Sequence, residues 1–207
     1  YVNIPIRDEY LVDYNFTFEA YINVRSSENF EGFLDFGNYD EGTNQSGFGA
    51  FLFSGGWRFY LRTEQSAFGD IQHVVASAPV DTWAHFAVTF GNGTLKLYRD
   101  GILVDSRGGY SGPVDWSGFS GDLTLGRFDY DEGQYRYFDG LMDEVRFWNV
   151  TKSENQIKAY KTIDLTGQEA GLIGYWKFDE SAGLVSSDLT TTNNSANIIN
   201  ASFVQDS

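Results

Sequence analysis

Apolar and polar residues alternate with a period of two along most of this chain. Phe16, Phe18, Ala20, Ile22 and Val24 alternate with Thr17, Glu19, Tyr21 and Asn23, and Phe86, Val88 and Phe90 alternate with His85, Ala87 and Thr89. Successive side chains of a strand point to opposite faces, so each run predicts a strand with one face on a core. Gly91-Asn92-Gly93 then predicts a hairpin turn, because Asn and Gly accept positive φ, and Leu95 to Arg99 predicts the returning strand. Asp100-Gly101 predicts a second tight turn into Ile102-Leu103-Val104, completing a three-stranded antiparallel meander. Further strands are expected at about 48–53, 57–62, 71–76, 122–127, 135–139, 141–148, 172–178 and 197–204. Many short strands divided by 23 glycines predict a β-sandwich.

One helix is expected. Thr151-Lys152-Ser153-Glu154 has capping-box spacing, with Thr151 capping the Glu154 amide and Glu154 reaching back, and Ile157, Tyr160 and Lys161 follow at helical intervals. This short helix would close one end of the sandwich. Residues 180–196, rich in Ser, Thr and Asn, read as a loop between two strand-like runs. The chain is therefore read as a single domain over 1–207, and its abrupt strand-like start at Tyr1 to Pro5 reads as excised from a longer protein.

Charge narrows the partners. With 29 acidic against 14 basic residues the net charge is −15, a surface that repels phosphate backbones and anionic lipid. Nucleic acid and membrane insertion are not expected, and there is no apolar run of the length that spans a bilayer. The absence of cysteine excludes a disulfide scaffold and a thiol nucleophile. Asn15, Asn44, Asn92, Asn149, Asn193 and Asn200 fit the glycosylation sequon, which permits a glycoprotein without indicating one.

Candidate chemistry concentrates in Phe128-Asp129-Tyr130-Asp131-Glu132-Gly133-Gln134, where three carboxylates lie within four residues among aromatic rings. Such carboxylates repel unless a cation separates them. Hard oxygen donors on a loop suit Ca²⁺, and the rings suit a sugar face. Tyr39, Tyr110, Trp116, Tyr130 and Tyr135 fall in expected loops or strand ends and are the candidate ligand-stacking rings, Trp116 the best exposed of them. Trp83, Trp148 and Trp176 sit within strand patterns and are expected in the core. Alternation places Asp143 on the apolar face of Leu141, Val145 and Phe147, where it needs a partner: a structural Ca²⁺ shared with Asp13 or Asp179, or a bulge that turns it outward. No catalytic residues are expected. His73 and His85 lack metal-ligand spacing, no Gly-x-Ser-x-Gly elbow occurs, and Asp143 and Glu144, being adjacent, point apart.

Gly140-Leu141-Met142-Asp143-Glu144-Val145-Arg146-Phe147-Trp148-Asn149 followed by Thr151 to Ile157 resembles the closing strand and helix of laminin-G-like jelly-roll domains, members of the concanavalin A-like lectin/glucanase superfamily that includes the pentraxins. Thr82 to Phe90 with Leu95 to Gly101 looks like that family's central hairpin, and Leu123-Thr124-Leu125-Gly126 like the strand before its binding loop. Ile173 to Glu180 is similar to a segment that often opens such a domain, so 172–207 either completes this sandwich or begins another. The resemblance implies an all-β, two-sheet antiparallel jelly-roll sandwich. The positions matching the pentraxin calcium loops give a metal set of Asp40, Glu41, Asp129, Asp131 and Glu132, although Phe128 stands where Glu is expected. The acid strand Glu-x-Asp-x-x-Glu of the superfamily's glucanases is missing. The expected function is calcium-assisted binding of a carbohydrate or glycoprotein, outside the cell or at its surface, by a module with covalent neighbour domains in an adhesin or polysaccharide-acting protein. The alternative is a protein–protein adhesion or spacer domain with structural calcium only, and a glycoside hydrolase comes third. The three loops 38–44, 110–119 and 127–135 are expected to converge.

Overall fold

The structure, a computed structural model, describes residues 1–26, 31–38, 46–65, 72–129 and 134–204. In chain order the strands are β1 (Val2–Ile4), β2 (Phe16–Val24), β3 (Gly32–Asn38), β4 (Ser46–Phe53), β5 (Gly56–Leu61), β6 (Gln72–Ser77), β7 (Trp83–Gly91), β8 (Thr94–Arg99), β9 (Ile102–Gly108) and β10 (Leu123–Leu125). They continue with β11 (Arg127–Asp129), β12 (Tyr135–Tyr137) and β13 (Gly140–Trp148), then helix α1 (Glu154–Tyr160), then β14 (Leu172–Trp176), β15 (Val185–Ser186) and β16 (Ala196–Ile198). One sheet has the order β15-β16-β1-β10-β3-β4-β5-β6, the other β14-β13-β2-β7-β8-β9, and β11-β12 forms a separate ribbon. This is an antiparallel jelly-roll sandwich with one short α-helix. Among the described residues no helix is long and apolar enough to cross a membrane.

The alternating residues do what their pattern requires. Phe16, Phe18, Ala20, Ile22 and Val24 of β2 and Phe86, Val88 and Phe90 of β7 are buried between the sheets. They face Phe48, Ala50 and Leu52 of β4 and Trp57, Phe59 and Leu61 of β5. Phe16 stacks on Phe48 at 4.3 Å, with Phe147 edge-on to both. Each such ring contributes about 1.5–3 kcal/mol by leaving water. Both expected hairpins form with positive φ at their two central residues, Asn92 with Gly93 and Asp100 with Gly101.

Five local readings are changed or decided. The helix is capped by Ser153, whose side chain accepts from the Gln156 amide while Gln156 reaches back; Thr151 instead donates to the Phe90 carbonyl, tying the helix entry to β7. The run at 122–127 breaks into β10 and β11 at Gly126, and residues 180–196 contain β15 and the start of β16. Strand β3 was not expected, yet Phe33, Leu34 and Phe36 are all buried. Asp143 is off the core face, the outward bulge being the alternative that holds. Met142 pairs with Ile22 and Asp143 with Tyr21, but a register shift before Arg146, which pairs with Glu19, inserts an extra residue. Glu144 takes φ 53° there. The bulge reverses the alternation, so Val145 and Phe147 stay buried while Asp143 lies on the opposite face with Tyr21.

The outer face of the six-stranded sheet is covered by α1 and the segment after it. Arg146 is buried and acts as the anchor: its guanidinium donates to the Tyr160 carbonyl at 2.7 Å and the Ile163 carbonyl at 3.1 Å, and pairs with Glu144. The Tyr21 hydroxyl donates to the Lys161 carbonyl at 2.9 Å. The last carbonyls of a helix lack intrahelical partners, so these donors satisfy the C-terminus that packing has buried. Beneath them, Glu19 accepts from Trp148 Nε1 at 2.9 Å and lies 3.4 Å from His85 Nε2.

Candidate functional site

The ribbon β11–β12 lies across the outer face of the eight-stranded sheet. Phe128 is fully buried there, stacked on Phe51 at 5.1 Å and edge-on to Tyr60 at 6.1 Å. It fits because Gly32 lies beneath it: a Cβ on Gly32 would fall 1.8 Å from that of Phe128. Phe128 therefore stands where the resemblance implied a ligand because it is the wedge that docks the ribbon.

Docking the ribbon brings two acids together. Asp35, on the face of β3 away from the core, accepts from the Asp129 amide at 3.1 Å and from the Tyr60 hydroxyl at 3.4 Å. Burial pushes its carboxyl up to about 7, and the nearby Asp129 charge adds to the rise, against the lowering effect of these hydrogen bonds and of Arg127. Sequence reasoning missed Asp35, although its place between Leu34 and Phe36 was the available signal. Asp35 and Asp129 are the described residues that could give oxygen ligands to a cation at this loop. Among the described residues no group of three His, Asp or Glu is placed to hold a metal ion.

The other arm of the ribbon carries exposed rings. Tyr135 and Tyr137, two apart on β12, share one face and are 45% and 56% exposed. The Arg127 guanidinium lies over Tyr135 at 4.6 Å and over Tyr1 at 4.4 Å, and the Tyr1 and Tyr137 rings are 6.2 Å apart. One cation thus holds two of three neighbouring tyrosines, Tyr1 and Tyr135, and Tyr137 packs beside Tyr1.

Tyr39, Asp40, Glu41, Tyr130, Asp131 and Glu132 lie outside the described residues. Trp116 is not a free platform: its ring packs on Phe36 at 4.8 Å and its Nε1 donates to the Val12 carbonyl at 3.1 Å. Tyr110 is buried edge-on to Phe90. Trp148 and Trp176 are buried as expected, but Trp83, the first residue of β7, is 42% exposed. Asp13 is exposed in the loop before β2, where its carbonyl receives the Val114 amide. Glu144 is held by Arg146 and by the Tyr175 hydroxyl, which donates to it at 2.8 Å.

Asp143 and Asp179 both line a cavity of about 480 Å³ where β13 runs beyond the end of β14, with Asp179 also paired to Lys177 at 3.0 Å. Rings of Tyr1, Trp83, Phe138 and Phe178 line it together with Asp143, Asp179 and Glu180. No Lys, Arg or His does so among the described residues. Tyr1 belongs both to this cavity and to the tyrosine strip.

A laminin-G-type sequence profile, that of the concanavalin A-like lectin/glucanases superfamily, matches residues 1–158. The chain belongs to this superfamily. A proposed carbohydrate binding protein of Bacteroides ovatus superposes on it with a TM-score of 0.69 and 22% identity, over 98% of this chain and 59% of that one, so the chain spans less than two thirds of that protein. Domain 4 of AbnA, a GH43 extracellular arabinanase of Geobacillus stearothermophilus solved with arabinotriose, gives 0.57 and 17% over 76% of this chain and 71% of that one. A heptameric pentraxin of Limulus polyphemus gives 0.54 and 13% over 96% and 94%. A search of curated proteins finds no match. At these identities the superpositions establish that this superfamily member has the lectin fold, and its ligand is a separate question.

Proposed function

We propose that this superfamily member is a non-catalytic carbohydrate-binding module working outside the cell, joined to other domains of an adhesin or polysaccharide-acting protein. The observation that carries the reading is the strip Tyr135, Tyr1, Tyr137. Large rings left partly in water suit the apolar faces of sugars, and Tyr1 and Tyr135, already held by Arg127, lose little entropy on binding. The sandwich relatives that bind carbohydrate support it. Calcium is part of the proposal, at the loop whose described donors are Asp129 and Asp35, where it would offset clustered negative charge. The second reading, a protein-binding or spacer domain, also uses exposed tyrosines.

A glycan array with and without chelator separates the two. Binding to at least one neutral glycan is expected, arabino-oligosaccharides being the first choice because the arabinanase domain was solved with one. Tyr135→Ala and Tyr137→Ala should each weaken it by about tenfold, or ~1.4 kcal/mol. Silence across the array, or unchanged affinity in the double variant, overturns the reading.

A further inference from the structure

Three observations on the cavity beyond the end of β14 point to a ligand. Its volume, about 480 Å³, lies within the range of small-molecule sites, and its walls mix rings with a few oxygen acceptors. Its frame contains two backbone outliers that are not glycine. Glu144, at φ 53°, makes the bulge that carries Asp143 to the cavity, and Phe178, at φ 59°, forms part of its wall. Left-handed conformations at bulky residues are unfavourable and concentrate at ligand sites. The cavity is also continuous with the tyrosine strip through Tyr1.

We infer that this cavity binds the terminal residue of a neutral saccharide whose following units run outward over Tyr1, Tyr137 and Tyr135. The outward run rests on the carbohydrate reading above; the cavity itself does not. Neutrality follows from the walls. Asp143 and Glu180 accept hydrogen bonds from hydroxyl groups and repel carboxylates, Asp179 is already paired with Lys177 at 3.0 Å, and no basic side chain is among the described residues that line the cavity to hold a uronic or sialic acid. Trp83 and Phe178 supply faces for the apolar side of one ring. A site for a terminus, unlike an open groove, recognises chain ends, and a module so built would gather at the ends that depolymerising enzymes create.

The native chain, labelled with ¹⁵N and ¹³C, is titrated with L-arabinose, D-xylose, D-galactose and D-glucose, with the di- and trisaccharides of each, and with D-glucuronate. At least one neutral sugar should shift the resonances of residues 138–143 and 178–181, and D-glucuronate should bind at least tenfold more weakly. No shift with any neutral sugar overturns the inference, as does equal binding of D-glucuronate. Shifts confined to Tyr135 and Tyr137 overturn the cavity site and leave the tyrosine platform standing. Cavity shifts with no oligosaccharide gain over the monosaccharide support the cavity and remove the outward path. As a second measurement, Ala201→Phe, which fills the cavity from its rim, should abolish monosaccharide shifts while Tyr137→Ala preserves them. If Ala201→Phe leaves the monosaccharide shifts intact, the site is elsewhere.

Discussion

At the scale of single residues, burial decides which polar groups matter. Arg146 serves two helix-end carbonyls and two carboxylates from a site with 1% exposure. Removing one side of a buried charge pair leaves the other uncompensated, at a cost of about 3–5 kcal/mol. Arg146→Ala should therefore lower unfolding free energy by about that amount in urea titration. A loss under 1 kcal/mol would show that solvent reaches Glu19 and Glu144 once the guanidinium is gone. Nothing in the one-dimensional pattern distinguished this arginine from an exposed one. Its position within a strand was legible, but the helix above it was a tertiary fact. Trp83 and Trp116 show the same limit in both directions. One lies in a strand and is exposed at its beginning; the other lies in a loop that folds back onto Phe36.

At the scale of elements, the ribbon β11–β12 is held by one wedge, Phe128, and one carboxyl, Asp35. Because burial raises the Asp35 pKa to about 7 from an unfolded value near 4, the folded chain holds this proton where the unfolded chain has lost it. The associated stability is fully present below about pH 4 and is lost as pH rises to 7. Asp35→Asn should remove this dependence, so that in EDTA its unfolding free energy changes less between pH 4 and 7 than the native chain's, by a few kcal/mol. Parallel profiles for the two proteins would place the titration elsewhere. Strands and hairpins were readable because period-two alternation and Asn-Gly or Asp-Gly turns are local signals. The bulge at Asp143 to Arg146 was readable only as a conflict, an acid on an apolar face, and the ribbon's docking was hidden because Gly32 and Phe128 are far apart in sequence.

At the scale of the molecule, a net charge of −15 makes the folded chain repel itself and favours bound cations. A ligand taken only by the folded state stabilises by about 2.7 kcal/mol at a hundredfold excess over Kd. Millimolar calcium should therefore raise the melting temperature by roughly 5 °C or more over EDTA, and Asp129→Ala should reduce the gain. Superimposed melting curves would remove calcium from the proposed function.

The two sheets are completed late in the chain. Strand β14 borders β13, β16 borders β1, and Tyr1 and Ile199 exchange backbone hydrogen bonds at 2.8 and 2.9 Å. During synthesis, then, β1 waits with one edge unpaired until almost two hundred further residues of this domain, through β16, have been made. Closing so long a span is slow, and an open edge meanwhile can pair with a neighbouring chain. The domain is most exposed to misassembly while it is being made, and β1 passes out of that danger only when β16 arrives.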